Sequence, residues 1–150
     1  MILGLHHAAL AVPNLEEALA FYCDLIGFEV VMEAEVPSGI GAMSAALGTK
    51  DSGFKVRIIK KGNSCLELFE FDVAEAGYSK RPVNRNGLTH IALASNAIEQ
   101  DHQNLSENGV KFNAPLMGQA PSRFAYGRDP FGNVIELLEH NPGAPDSIEF

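Results

Sequence analysis

The segment Leu5-His6-His7-Ala8-Ala9-Leu10-Ala11 returns as Leu88-Thr89-His90-Ile91-Ala92-Leu93-Ala94, with five of seven positions identical and each displaced by 83 residues (7 to 90). Further on, Cys65-Leu66-Glu67-Leu68-Phe69-Glu70 is echoed by Val134-Ile135-Glu136-Leu137-Leu138-Glu139. A chain that repeats a histidine early and a glutamate late in each half is a duplicated module. Such a duplication sets two imidazoles and two carboxylates around one point, a donor set that suits a divalent metal.

The segments between these anchors also repeat. Residues 4–12 alternate as a strand until Pro13, and Asn14 with Glu17 caps a helix carrying Leu15, Ala18, Leu19, Tyr22 and Ile26 at helical spacing. Gly27 ends it. Residues 28–36, 54–59 and 64–71 read as strands, the last two joined at Gly62-Asn63. The second half follows the same order. A strand spans Leu88–Ser95, Asn96 with Glu99 caps a helix ending at Gly109, and a short strand lies near Val110–Asn113. A hairpin of Arg123–Arg128 and Val134–Glu139 then turns at Asp129-Pro130-Phe131-Gly132.

The expected fold is α+β, with two paired βαβββ modules forming a curved mixed sheet around a metal cleft and the helices outside. The modules are residues 1–71 and 88–139, joined by a linker at 72–87 and followed by a tail at 140–150. The stretch 37–53 has no counterpart in the second half. It is expected to hold a short helix around Ala42–Leu47 and to serve as a lid or substrate-selecting insert.

Strand parity supports the metal. Alternate residues of a strand face opposite ways, and His7, Glu67, His90 and Glu136 each lie on the face away from their aliphatic neighbours. Any one of them alone would read as a hydrogen-bonded or solvated side chain. Four at repeated positions and on one parity read as ligands, because burying two carboxylates together without a cation costs several kcal/mol each. His6 faces Thr89 in the repeat, so His7 is the better ligand. Glu70 and Glu139 have the opposite parity and are expected to be solvated. The segments around the cleft supply Met43, Leu47, Phe54, Phe69, Phe124 and Tyr126, with Arg57 a cation for a substrate carboxylate.

Composition narrows the classes. Nineteen acidic against eleven basic residues give a net charge of −8, which repels nucleic-acid phosphates. No apolar run is long enough to span a bilayer. Two cysteines, Cys23 and Cys65, give no disulfide framework. The expectation is a cytoplasmic protein with a small-molecule substrate and neither a nucleic-acid nor a membrane partner.

The stretch from Leu5-His6-His7 through Ala18-Leu19-Ala20-Phe21-Tyr22 to Leu25-Ile26-Gly27-Phe28, with the ending Tyr126-Gly127-Arg128-Asp129-Pro130-Phe131-Gly132-Asn133-Val134-Ile135-Glu136-Leu137, resembles the vicinal oxygen chelate superfamily. That superfamily includes glyoxalase I, methylmalonyl-CoA epimerase, extradiol dioxygenases and the fosfomycin and bleomycin resistance proteins. The resemblance covers about residues 4–139. It implies a homodimer with one divalent ion per cleft (Zn, Ni, Co, Mn or Fe), held by His7, Glu67, His90 and Glu136. It favours a lyase or isomerase of glyoxalase type, with Glu67 or Glu136 as the base. Tyr126 stands where extradiol dioxygenases carry an acid–base tyrosine, which makes an Fe(II) dioxygenase the alternative; a non-catalytic binding protein is a third. Residues 27–35 are acidic where glyoxalase I carries a basic residue for glutathione.

Overall fold

The computed structural model describes residues 1–74 and 82–150. The expected linker therefore lies in part, at 75–81, outside the described residues. Residues 1–74, joined by Phe150, form one compact unit, and residues 82–149 form a second.

The first unit runs β1 (His7–Ala11), α1 (Leu15–Leu19), β2 (Glu29–Val36), α2 (Gly41–Leu47), β3 (Phe54–Lys61) and β4 (Ser64–Phe71). Its sheet has the order β1-β4-β3-β2, with β1 parallel to β4 and the other pairs antiparallel. The Asn14 side chain accepts from the Glu17 amide at 3.0 Å and starts α1. The helix then widens into a π-helical segment, Ala20–Leu25. Gly27, at φ +87°, turns the chain into β2. Leu15, Ala18 and Tyr22 are buried, as are Ile59, Leu66 and Leu68 on β3 and β4. Alternate residues of β4 thus form the core, and the odd-numbered ones, Cys65, Glu67 and Phe69, face the other way.

The second unit runs β5 (Ile91–Ser95), α3 (Ile98–Glu107), β6 (Phe124–Arg128) and β7 (Val134–Glu139). Its sheet has the order β5-β7-β6, with β5 parallel to β7 and β6 antiparallel to β7. Ile98 and Leu105 of α3 are buried, as are Ala125, Ile135 and Leu137 of the sheet. At the hairpin turn the buried Asp129 carboxylate accepts from the amides of Phe131 and Asn133 at 3.0 and 2.7 Å.

Two expectations fail in this half. Residues 110–113 form no strand, and the segment instead follows β6 through single bonds. Asn113 donates to the Tyr126 carbonyl at 2.8 Å, and Met117 and Phe124 exchange a pair at 2.9 and 3.0 Å. Pro115 has no amide to continue a ladder, and Val110 and Phe112 are used as packing against Gly127. Nor is Asn96 the helix cap. Ala97 holds that position without a side-chain bond, and the Ser95 hydroxyl accepts the Ala97 amide at 3.0 Å while donating to Asp101 at 2.5 Å.

Candidate metal centre and adjoining pocket

Parallel pairing sets β1 beside β4 so that Ala9 is level with Glu67 and His7 with Cys65. His7 and Glu67 therefore share the face opposite the helix, and His7 Nε2 lies 3.2 Å from Glu67 Oε2. The second unit builds the same pair. Ala92 is level with Glu136, and His90 Nε2 lies 3.0 Å from Glu136 Oε2. The other ring nitrogen is engaged by the preceding side chain in both cases: His7 Nδ1 is 2.8 Å from His6 Nδ1, and His90 Nδ1 is 2.9 Å from Thr89 Oγ1. His6 is exposed and touches the ligand-type histidine from outside, so it acts as an orienting neighbour.

The pairs suit a metal in chemistry and spacing. Two donors about 2.1 Å from one ion at right angles stand about 3.0 Å apart. Each unit presents one imidazole nitrogen and one carboxylate oxygen at that separation, and each carboxylate is largely buried, at 17% and 12% side-chain exposure. Among the described residues no group of three or more His, Cys, Asp or Glu side chains converges as a metal site. Each unit by itself offers a bidentate half-site.

Tyr126 is level with Glu136 across the β6–β7 pair, so its phenol shares a face with that carboxylate. Burial pushes the phenol up, and the neighbouring Glu136 carboxylate adds to the shift. Its ring meets His90 edge-on at 5.3 Å and Phe124 at 5.8 Å. Beside this row lies a cavity of about 390 Å³ within the second unit, bounded by Thr89, His90, Asn113, Met117, Phe124 and Tyr126 among others. Phe124 and Tyr126 were legible in the sequence. Asn113 and Met117 were missed, because they sit in the irregular segment that replaces the expected strand.

In the first unit Phe54 and Phe69 do lie on the Glu67 face. They form a cluster with Phe71, ring centres 5.2 to 5.7 Å apart. Met43 is exposed on α2 and bounds neither that cavity nor the one described next.

The expectation that Arg57 faces the cleft, from its alternation with Val56 and Ile58, fails. The residue pairs in register with Leu68, whereas Ile58 pairs with Glu67, so Arg57 projects on the helix side. The cause is that β3 is apolar on both faces, with Val56 and Ile58 on one and Ile59 on the other. Its guanidinium meets Glu33 at 3.1 Å and Glu35 at 3.6 Å and lines a polar cavity of about 320 Å³ with Asn14, Lys55 and Glu70.

Glu70 and Glu139 are not solvated either. Glu70 accepts the Leu15 amide at 2.6 Å and meets Lys55 at 3.3 Å, which holds its carboxyl below the usual range, the Leu15 bond first. Glu139 takes two bonds from the Arg123 guanidinium, at 2.8 and 2.5 Å, and Arg123 also binds Glu99 in the first turn of α3. The repeated glutamates thus tie each last strand to the start of the helix above it.

Comparison with known proteins agrees with this architecture. The chain is 28% identical over 135 residues to a probable lactoylglutathione lyase of Synechocystis, covering 89% of this chain and 92% of that protein. A glyoxalase family protein from Bacillus cereus superposes with a TM-score of 0.81 at 22% identity, over 92% of this chain and 94% of that one. A variant of the fosfomycin resistance protein FosX from Listeria monocytogenes, complexed with Mn(II) and 1S,2S-dihydroxypropylphosphonic acid, superposes with a TM-score of 0.62 at 17% identity, over 95% and 94%. No described helix is long and apolar enough to cross a membrane. Residues 4–137 match the Glyoxalase/Bleomycin resistance protein/Dioxygenase superfamily, and the chain belongs to that family.

Proposed function

We propose that the protein is a metal-dependent lyase or isomerase that moves a proton on a small substrate with neighbouring oxygens. The observation that carries this reading is the duplicated His–Glu pair, at 3.2 Å in one unit and 3.0 Å in the other. His7, Glu67, His90 and Glu136 would hold one divalent ion. When bound, that ion supplies Lewis acidity that stabilises negative charge on a substrate oxygen.

The chain's own groups do the rest. The Glu136 carboxylate would take a proton from the carbon next to the oxygen and, as the carboxylic acid so formed, return it to the neighbouring carbon; Glu67 is the matching group from the other half. The Tyr126 phenol, kept neutral by its surroundings and level with Glu136 across the ladder, would donate to that carboxylate and fix the direction of its lone pairs. The Thr89 and His6 contacts hold the imidazole rings so that Nε2 faces the carboxylates. The Mn(II) bound by the FosX variant supports a metal in this fold.

The test is elemental analysis of protein purified without a tag, followed by proton exchange from an α-hydroxyketone in D2O by NMR. One equivalent of metal per site and exchange abolished by Glu136→Gln are expected. Full exchange in that variant overturns the assignment.

The contact of Tyr126 with both His90 and Glu136 favours one second reading, an Fe(II) extradiol dioxygenase. Oxygen uptake with catechol under Fe(II), absent with Zn, would select it. A homodimer is part of the same proposal, supported by the exposed Val30, Val31 and Met32 on β2, and sedimentation equilibrium measures it. The residue 37–53 insert is proposed as a lid, for which slower proteolysis on adding ligand is the expected sign.

A further inference from the structure

We infer that the substrate is uncharged at the end remote from its chelating oxygens and carries there a flat apolar group, such as an aryl ring. This rests on reading His90 and Glu136 as part of the site. The cavity next to them has about 390 Å³, at the small end of ligand pockets, which suits one ring with short substituents. Its far wall is apolar, with Val83, Pro115, Met117 and Phe124. The edge-to-face row of His90, Tyr126 and Phe124 leaves flat surfaces against which a ring stacks.

Among the described residues no lysine or arginine lines that cavity. The arginines of β6 and its start are committed elsewhere: Arg123 to Glu139 and Glu99, and Arg128 to the Gly132 carbonyl at 2.5 Å. An anionic group seated against the apolar wall would lose part of its hydration and find no cation among the described residues to replace it. The net charge of −8 adds repulsion at longer range. A neutral polar side chain, Asn113, bounds the space. Among the described residues the Asn113 carboxamide has no hydrogen-bond partner, while its backbone amide is fixed on the Tyr126 carbonyl. A substrate hydroxyl or ether oxygen on the ring would find it.

The experiment titrates Mn-loaded full-length protein, its metal content measured first, with 2-hydroxyacetophenone and with the same ketol carrying a para carboxylate. Binding is followed by calorimetry, and saturation-transfer NMR reports which ligand protons touch protein. The neutral ketol should bind at least tenfold more tightly, with transfer strongest at the ring protons. Met117→Arg, at a half-exposed position that tolerates change, should cancel or reverse that preference. Equal or tighter binding of the carboxylated ketol, or of S-lactoylglutathione, by the unaltered protein overturns the inference, as does a preference that Met117→Arg leaves unmoved. Absence of bound metal with the ring preference intact would remove the enzyme reading and keep the pocket assignment; bound metal with the preference absent would do the opposite.

Discussion

Tyr126 stands directly across the β6–β7 ladder from Glu136, and its phenol lies beside that carboxylate on the face opposite the helix. A tyrosine whose ionisation is pushed up by burial and by a neighbouring carboxylate stays a proton donor through the physiological range. It therefore serves Glu136 as a fixed donor and does not compete with it as a base. Tyr126→Phe should lower kcat/KM for proton exchange about 10-fold, less than the roughly 100-fold or more expected on losing the general base itself. Metal content should be unchanged. A loss below twofold would leave the ring as wall alone.

The two His–Glu pairs predict linkage between metal and stability. Each pair places two donors on neighbouring strands of one unit, so an ion joining them binds the folded chain and not the unfolded one. At a free ion concentration 100 times Kd this adds about 2.7 kcal/mol. Chelation should lower the Tm by several degrees, and Mn or Zn should restore it. His7→Ala and His90→Ala should each abolish most of the restoration, since each removes half of a bidentate pair. A Tm that ignores both chelator and metal would count against the shared ion.

The last glutamates of the repeat predict acid sensitivity. Glu70, Glu99 and Glu139 all have carboxyl groups held below the usual range, by the Leu15 amide in the first case and by Arg123 in the other two. In the unfolded chain they take up protons near pH 4.5 or just below, before the folded chain does. Their stabilisation is thus complete above that range and is lost as pH falls through the depressed folded values. Urea midpoints should decline between about pH 4.5 and 3, and Glu139→Gln should flatten part of that decline. Glu70→Ala, which strips the Leu15 amide of its acceptor, should cost about 1 kcal/mol at pH 7.

How far these features were legible depends on how one-sided each strand is. On β4 and β7 the triplets Leu66-Glu67-Leu68 and Ile135-Glu136-Leu137 set one acid between two aliphatic residues, and Glu67 and Glu136 emerge on the face opposite the helices. On β3 both faces are apolar, periodicity carries no sign, and Arg57 was assigned to the wrong face. The pairing of Glu70 with a helix amide and of Glu139 with Arg123 joins residues 55 and 16 positions apart. Such partners follow from register, which alternation within one strand does not contain. The missing strand at 110–113 has a local cause in Pro115, but the packing of Val110 and Phe112 against a glycine is a tertiary fact.

That packing supplies the last prediction. A Cβ at Gly127 would stand 2.9 Å from Val110 Cγ1, 3.1 Å from Phe112 Cδ1 and 3.3 Å from the Lys111 carbonyl. The demand is steric, because β6 simply leaves no room for a side chain under the 110–113 segment. Gly127→Ala should therefore cost about 1–3 kcal/mol, the usual range for overpacking. The closest clash is with a methyl group, so the penalty should shrink in a Val110→Ala background, giving a coupling of about 0.5–1 kcal/mol in a double-mutant cycle of denaturant midpoints. The same segment carries Asn113 on the cavity rim. Ketol affinity should fall in Gly127→Ala and recover in the double variant, while strictly additive stabilities would show that the segment moves freely over β6.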